Sequence, residues 1–179
     1  MLTVHTLEVL PTVEELNEAV GRAFLARLRT LVDEADAGSR VNLAISGGAI
    51  TTSLLPSLLP VVGEVDWSRV RVWLVDERYV PADDEDRNDD QAWEGFFHAA
   101  SGVEFVRMPT SDVSAPGVGS LDEATAAFTD TWRKLMGERS FDIALIGMGP
   151  DGHICSLFPG RIDMDEASPI LAIRNSPKP

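Results

Sequence analysis

Apolar residues follow two different spacings along the chain, one typical of helices and one of buried strands. Between residues 12 and 37 they recur at three- and four-residue steps, which predicts a long amphipathic helix. Thr12 with Glu15 three positions later forms a capping box at its start, and Gly38 suits a left-handed stop after it. The continuous apolar run Val41–Ile45 predicts a buried strand. The apolar stripe of the helix consists of Val13, Leu16, Val20, Phe24, Leu28 and Leu31.

Strand and helix patterns continue to alternate through the rest of the chain. Ser120 and Glu123 form a second capping box, which opens a predicted helix that ends near residue 137. Further helices are predicted over 51–59 and 89–100, further strands over 70–75, 103–106, 141–146 and 169–174, and a loop over 109–119. Alternating strands and helices predict βαβ units, and therefore an α/β fold with a mainly parallel sheet.

Composition and charge narrow the range of partners. The 179 residues (1–179) suggest a single domain, and the net charge of −14 argues against nucleic acid or an anionic membrane as a partner. Cys155, the only cysteine, excludes an internal disulfide. The sequence holds no apolar run of about 18 residues and no basic, apolar start, so we expect neither a membrane span nor a secretory signal, and a cytoplasmic location.

Three of the predicted strands end in loops whose residues suit chemistry. These loops are Ser46-Gly47-Gly48, Asp76-Glu77-Arg78 and the glycine-rich run from Gly147 to His153. Because the carboxyl ends of parallel strands meet at one edge of a sheet, we expect the three loops to open onto a common site.

His153 is the strongest catalytic candidate among the three histidines. His5 lies near the amino terminus and His98 is predicted on a helix surface, whereas His153 lies in a strand-end loop. An imidazole with an ordinary pKa of about 6.5 can act as a general base at neutral pH, and Asp151 can orient it. A structural role for a loop histidine remains the alternative.

The other two loops favour an anion. In Ser46-Gly47-Gly48, glycines between a strand and a helix let backbone N–H groups point at a phosphate, although an ordinary tight turn explains them equally well. Arg78 can clamp a phosphate with two parallel hydrogen bonds, with a structural ion pair at the sheet edge as the alternative.

Several other patterns are interpreted without a cofactor or metal. The run Gly147–Gly152 fits G-x-G-x-x-G, but Pro150 lacks an N–H and the next segment is too short for the usual helix, so no nicotinamide or flavin is expected. The acidic residues between 83 and 90 lack calcium-loop spacing and are expected to form a solvated loop. Cys155 is expected to be a small buried thiol rather than a nucleophile.

The loops together resemble the 6-phosphogluconolactonase family. The matching segments are Leu43-Ala-Ile-Ser-Gly-Gly48, Trp73-Leu-Val-Asp-Glu-Arg-Tyr-Val-Pro81 with Asp86-Arg-Asn88, Phe141-Asp-Ile-Ala-Leu-Ile-Gly-Met-Gly-Pro-Asp-Gly-His153 with Ser156-Leu-Phe-Pro-Gly160, and Ser176-Pro-Lys-Pro179. The resemblance implies a Rossmann-like three-layer sandwich shared with glucosamine-6-phosphate deaminases and ribose-5-phosphate isomerases. It also implies metal-independent hydrolysis of 6-phosphogluconolactone to 6-phosphogluconate in the pentose phosphate pathway.

The resemblance also assigns roles to individual residues. It makes His153 the general base, with Asp151 as its neighbour. It implies that Arg78 and Lys178 bind the phosphate of the sugar-phosphate lactone, with the backbone of Ser46, Gly47 and Gly48 nearby. It also implies that Asp76 and Asn88 shape the pocket. No cofactor is expected, and the chain is expected to be a monomer or a weak homo-oligomer.

The sequence departs from the family pattern in three places. The glycine loop continues as Ala49-Ile-Thr51-Thr52, Cys155 replaces a usual alanine, and family members continue for some tens of residues after the Ser-Pro-Lys-Pro motif, so the family's carboxyl-terminal portion is expected to be missing. Two alternatives stay open: a glucosamine-6-phosphate deaminase-like isomerase, and a non-catalytic sugar-phosphate-binding paralogue. Deaminases have Asp-Glu-Tyr where this chain has Asp76-Glu77-Arg78, which favours the lactonase.

Overall fold

A parallel sheet with helices on both faces forms the described part of the chain. The computed structural model describes residues 6–112, 119–161 and 168–177. Within these ranges, the sheet has four strands: β1 (Val41–Ile45), β2 (Val70–Leu74), β3 (Glu104–Val106) and β4 (Ile143–Leu145). Their spatial order is β3-β2-β1-β4 and every pairing is parallel, as the alternation of strands and helices predicts.

The connections between strands are helical. The α-helices are α1 (Val13–Glu34), α2 (Leu55–Ser57), α3 (Asn88–Gly95) and α4 (Leu121–Met136). A π-helical turn, Ile50–Leu54, precedes α2, and short 3-10 helices cover Leu59–Glu64, Trp67–Arg69 and Phe97–Ala99. The N-cap hydrogen bond of each predicted capping box forms: the Thr12 hydroxyl accepts the Glu15 N–H at 3.1 Å, and the Ser120 hydroxyl accepts the Glu123 N–H at 3.3 Å.

Alternate residues of the central strands enter two different cores. One core packs β1 and β2 against α1, α2 and α3; on β2 it takes the side chains of Val70, Val72 and Leu74. Trp73, between them in sequence, enters the second core with Phe128 and Met136 of α4. This alternation is the period-2 pattern of a strand covered on both faces, and it confirms the expected three-layer α/β sandwich.

The first helix is shorter than its apolar pattern predicts. α1 ends at Glu34 rather than near residue 37, and the chain turns through Gly38 at φ +84° before β1. At its amino-terminal end Val13 and Leu16 are exposed, because the helix packs on the sheet only through its later turns. The apolar stripe therefore predicts the buried face correctly from Phe24 onward.

The predicted strand over 169–174 is wrong. Residues 168–177 have no strand pairing, and side chains donate to the carbonyls of Ile170, Arg174 and Asn175. The Arg161 guanidinium donates to the carbonyls of Arg174 and Asn175 at 2.9 and 3.1 Å, and Ile170 packs against the core beneath α4. Ile170 is therefore apolar because it packs on a core, and not because it belongs to the sheet.

Within the described ranges, every helix is too short or too polar to cross a membrane.

The central strand should dominate stability. Leu43 in β1 is fully buried, whereas Leu16 in α1 keeps 44% of its surface exposed. We expect Leu43→Ala to lower the free energy of unfolding by about 2–5 kcal/mol, because it leaves a cavity between sheet and helix. Leu16→Ala is the matched control and should cost less than about 1 kcal/mol. Urea denaturation of both variants checks this; equal losses would contradict the described core.

Candidate functional site at the carboxyl edge of the sheet

Two of the three predicted loops are joined directly at the carboxyl edge of the sheet. The Ser46 N–H donates to the carbonyl of Leu145 at 3.0 Å, and the Ser46 hydroxyl accepts the N–H of Gly147 at 2.9 Å. Ser46 follows β1 and Gly147 lies two residues beyond β4, so the parallel pairing of these strands continues as loop contacts. The buried Ser46 side chain thus fixes one loop against the other.

The glycine loop leaves donors available at its tip. In the ranges that the structure describes, no acceptor takes the backbone N–H groups of Gly47, Gly48 or Ala49. The Gly48 carbonyl, in contrast, accepts the hydroxyls of Thr51 and Thr52 at 3.0 and 2.9 Å. Gly48 has φ +66°, a conformation that suits glycine. The loop therefore presents backbone donors while its acceptor is occupied, as an anion requires.

Asn88 links the glycine loop to the loop after β2. Its side-chain amide donates to the carbonyl of Asp76 at 3.2 Å, and a Cβ atom on Gly47 would overlap its side-chain oxygen. Asn88 is almost fully buried at the start of α3. There is therefore no room for a side chain at position 47, and Asn88 holds the two loops together.

Asp76 joins the second loop to the segment that directly follows the third loop. Its carboxylate accepts the Ser156 hydroxyl at 2.9 Å. Burial raises the pKa of Asp76, while the Ser156 hydrogen bond and the charges of Arg78 and His153 act in the opposite direction. Arg78 lies two residues after Asp76 and Ser156 three residues after His153, so this hydrogen bond brings together the segments that carry the predicted cation and the predicted base.

The imidazole of His153 is held in one orientation. The ring Nδ1 forms a short hydrogen bond with the Asp151 carboxylate, and the backbone carbonyl of His153 accepts the Gly149 N–H at 2.9 Å. A Cβ atom on Gly149 would overlap the imidazole, and Gly152 turns the chain at φ +84°. The ring also packs on Phe158, with 5.3 Å between centroids. These contacts fix the ring from several sides.

The Asp151 contact also determines which ring nitrogen is available. The hydrogen bond to His153 lowers the pKa of Asp151, so the carboxylate is ionised at neutral pH and accepts the proton on Nδ1. Nε2 has no hydrogen-bond partner within the described ranges. In the neutral ring, Nε2 therefore carries the lone pair that can accept a proton from water.

Arg78 retains most of its hydrogen-bonding capacity. Its Nη1 donates to the carbonyl of Asp86, and its other guanidinium N–H groups have no hydrogen-bond partner in the part of the chain that the structure describes. A guanidinium has five N–H donors, so four remain for a ligand. This favours the anion-binding interpretation of Arg78 over a saturated structural ion pair.

The burial of three charged residues beside this site was not predicted from the sequence. Glu77, Arg87 and Asp89 have side chains at most 2% exposed, and Arg87 pairs with both oxygens of Asp89 at 2.9 and 2.7 Å. The expected solvated acidic loop is therefore wrong at Asp89, although Asp83 and Glu85 are exposed. The sequence signal that could have indicated this burial is Arg87, a lone cation within the acidic run, because a buried carboxylate needs a nearby positive charge to offset its desolvation.

The last loop does not have the structure of a dinucleotide fingerprint. Residues 149–160 form turns and an isolated bridge between Ile154 and Leu157, without the helix that would follow such a motif. Cys155 is half-buried, and burial together with the charge of Asp76 raises its pKa to about 11. The thiol is therefore protonated at neutral pH and a poor nucleophile, as expected for a packing residue.

Two of the residues considered in the sequence analysis cannot be placed. Lys178 and His5 lie outside the described residues. Within the described ranges, no three His, Cys, Asp or Glu side chains gather closely enough to hold a metal ion.

Burial of the Asp76 carboxylate predicts a pH-dependent effect on stability. Its folded-state pKa is raised, so folding favours the protonated form, and this contribution is lost as pH rises through the raised value. An asparagine resembles the protonated acid and can still accept the Ser156 hydroxyl. We therefore expect Asp76→Asn to gain stability relative to the parent protein between about pH 4 and pH 7 in urea unfolding. A relative loss over that interval would contradict the burial argument.

Comparison with known proteins agrees with this geometry. A 6-phosphogluconolactonase from Mycobacterium leprae is 33% identical over 171 residues, which cover 89% of this chain and 67% of the relative. A probable 6-phosphogluconolactonase 4 from Arabidopsis thaliana is 32% identical, covering 96% of this chain and 69% of the relative.

Solved structures give the same result. The 6-phosphogluconolactonase from Trypanosoma brucei superposes with a TM-score of 0.72 at 25% identity, covering 90% of this chain and 66% of that chain. The Thermotoga maritima 6-phosphogluconolactonase gives a TM-score of 0.63 at 27% identity, covering 79% of this chain and 60% of that chain. This chain therefore spans only part of these proteins' length. The family model described as glucosamine-6-phosphate isomerases/6-phosphogluconolactonase matches residues 11–179, and the chain belongs to that family.

Proposed function

We propose that this protein hydrolyses 6-phospho-D-glucono-1,5-lactone to 6-phosphogluconate, as a step of the pentose phosphate pathway. The observation that carries the proposal is that the His153–Asp151 pair and Arg78 lie in loops at the same edge of the sheet, joined where Asp76 accepts the Ser156 hydroxyl. The His153–Asp151 pair suits proton transfer and Arg78 suits phosphate binding, and hydrolysis of a phosphorylated lactone needs both. The names of the relatives support the same substrate.

In the proposed reaction, His153 acts as a general base without a metal. Nε2 takes a proton from water while the water oxygen bonds to the lactone carbonyl carbon, and Asp151 stabilises the resulting imidazolium. The tetrahedral intermediate then collapses: the bond from that carbon to the ring oxygen breaks, and His153 returns the proton to the departing oxygen. A lactone is already an activated ester, so one base and a polarised carbonyl suffice.

Phosphate binding needs a local positive site, since the substrate phosphate carries about two negative charges and the protein carries −14. Arg78, with uncommitted guanidinium donors, and the N–H groups of Gly47 and Gly48 supply one. Lys178 belongs to the proposed phosphate site on the family resemblance. Asp76 and Asn88 are proposed to shape the pocket.

The two alternatives are separated by direct measurement. Release of ammonia from glucosamine 6-phosphate would support the deaminase-like isomerase and overturn the lactonase proposal. Binding of 6-phosphogluconate in isothermal titration, without lactone hydrolysis above the spontaneous background, would support a non-catalytic binding protein. A cytoplasmic location and a monomeric or weakly associated state complete the proposal.

Removal of the base should affect turnover. We expect His153→Ala to lower kcat by at least about a hundredfold, because general-base assistance is lost. His98→Ala is the matched control, since His98 is exposed on the 3-10 helix Phe97–Ala99 and should leave kcat unchanged. Initial rates of lactone hydrolysis, corrected for the spontaneous reaction, provide the measurement. Parent-like turnover by His153→Ala would show that another group is the base.

Removal of the cation should affect binding. We expect Arg78→Ala to raise KM about ten- to a hundredfold with a much smaller change in kcat, because a charged hydrogen bond to the phosphate is equally strong in the ground and transition states. Steady-state kinetics across a range of lactone concentrations check this prediction. An unchanged KM would place the phosphate elsewhere.

A further inference from the structure

Behind the loop that carries Arg78 lies a set of buried charges that the proposed chemistry does not use. We call Glu77, Arg87 and Asp89 the buried charge cluster. Arg87 forms two parallel hydrogen bonds with Asp89, and its Nη2 lies 3.8 Å from the Glu77 carboxylate. Arg107, which is partly exposed, approaches Asp89 at 3.3 Å and also pairs with Asp90.

The Arg87 guanidinium has no donor left for a ligand. Nε and Nη2 reach Asp89, Nη2 also donates to the carbonyl of Met108 at 3.0 Å, and Nη1 donates to the carbonyls of Arg78 and Pro109 at 3.3 and 3.4 Å. These bonds use all five guanidinium N–H groups. Arg87 therefore contrasts with Arg78, whose guanidinium makes a single protein hydrogen bond in the described ranges.

The cluster holds the backbone of Arg78 from both sides. The Arg78 N–H donates to a Glu77 carboxylate oxygen at 2.8 Å, while the Arg78 carbonyl accepts from Arg87. The same Glu77 oxygen accepts the N–H of Asn88, and the other oxygen accepts the N–H of Asp89, both at 2.8 Å. One buried carboxylate thus joins the Arg78 loop to the first turn of α3.

We propose that the buried charge cluster positions Arg78 for the substrate phosphate, so that Glu77, Arg87 and Asp89 are positioning residues of the binding site. The inference rests on the proposed function for the identity of the ligand. Its physical basis is that a buried ion pair adds little net stability, whereas its directional hydrogen bonds fix one backbone geometry. Here that geometry belongs to the residue with uncommitted donors.

Arg87→Lys is the sharpest substitution for testing this inference. Lysine keeps the positive charge, but its single ammonium cannot bond both Asp89 oxygens and also reach the carbonyls of Arg78, Met108 and Pro109. The Arg78 carbonyl then loses its restraint. We expect KM for the lactone to rise about tenfold with kcat changed less than about threefold, and the Kd for 6-phosphogluconate in isothermal titration to rise in parallel.

A double-mutant cycle separates positioning from general destabilisation. If Arg87 acts through Arg78, adding Arg87→Lys to Arg78→Ala should raise KM and Kd by less than about twofold further. Arg71→Lys is the matched control, because Arg71 pairs with Glu104 at 2.9 Å near the opposite end of β2. It should lower the melting temperature without changing KM or Kd.

The remaining outcomes are also decisive. Parent-like KM and Kd for Arg87→Lys, or full additivity with Arg78→Ala, would overturn the inference. If Arg87→Lys does not fold, Glu77→Gln replaces it. Glutamine keeps one acceptor oxygen for the backbone N–H groups of Arg78 and Asn88, but it presents an NH₂ group, which cannot accept, to the backbone N–H of Asp89. The same KM and Kd criteria then apply. A parent protein that binds 6-phosphogluconate but does not hydrolyse the lactone would refute the proposed function, while the Kd cycle would still test the positioning role.

Discussion

Parallel pairing of β1 with both of its neighbours is the constraint on which the site depends. It brings the chain after Ile45, after Leu74 and after Leu145 to the same edge of the sheet. Ser46 and Gly147, 101 residues apart in sequence, can then share a hydrogen bond. Antiparallel pairing of either neighbour would send its loop to the opposite edge, and the imidazole, the guanidinium and the glycine loop would not meet.

Charge is the second constraint, because an acidic protein must bind an anion. The chain concentrates uncommitted donors at one place, with Arg78 and the N–H groups of the glycine loop, and neutralises the carboxylates around them internally. Asp89 is paired with Arg87, and Glu77 is satisfied by three backbone N–H groups. The Asp76 carboxylate accepts the Ser156 hydroxyl, and its pKa is raised by burial.

Much of the sheet and the edge on which the candidate site lies could be predicted from the sequence. The buried runs at β1 and β2 and the N-caps of α1 and α4 depend on short-range patterns, and the structure has them. The apolar run over 169–174 was wrongly predicted to be a strand, because a residue that packs on a core, such as Ile170, gives the same apolar signal as a strand residue. The burial of Asp89 was missed because it depends on Arg87, and pairing between side chains has no periodicity in sequence.

The central claim is that His153 and Arg78 act on one bound ligand. NMR titration of the ¹⁵N-labelled protein with 6-phosphogluconate, and separately with gluconate, tests it most directly. The account predicts that 6-phosphogluconate shifts the His153 ring resonances, the Arg78 Nε–H and the amides of Gly47 and Gly48 with a single Kd, and that gluconate binds much more weakly. Shifts confined to His153 or to Arg78, or two different Kd values, would contradict a shared site.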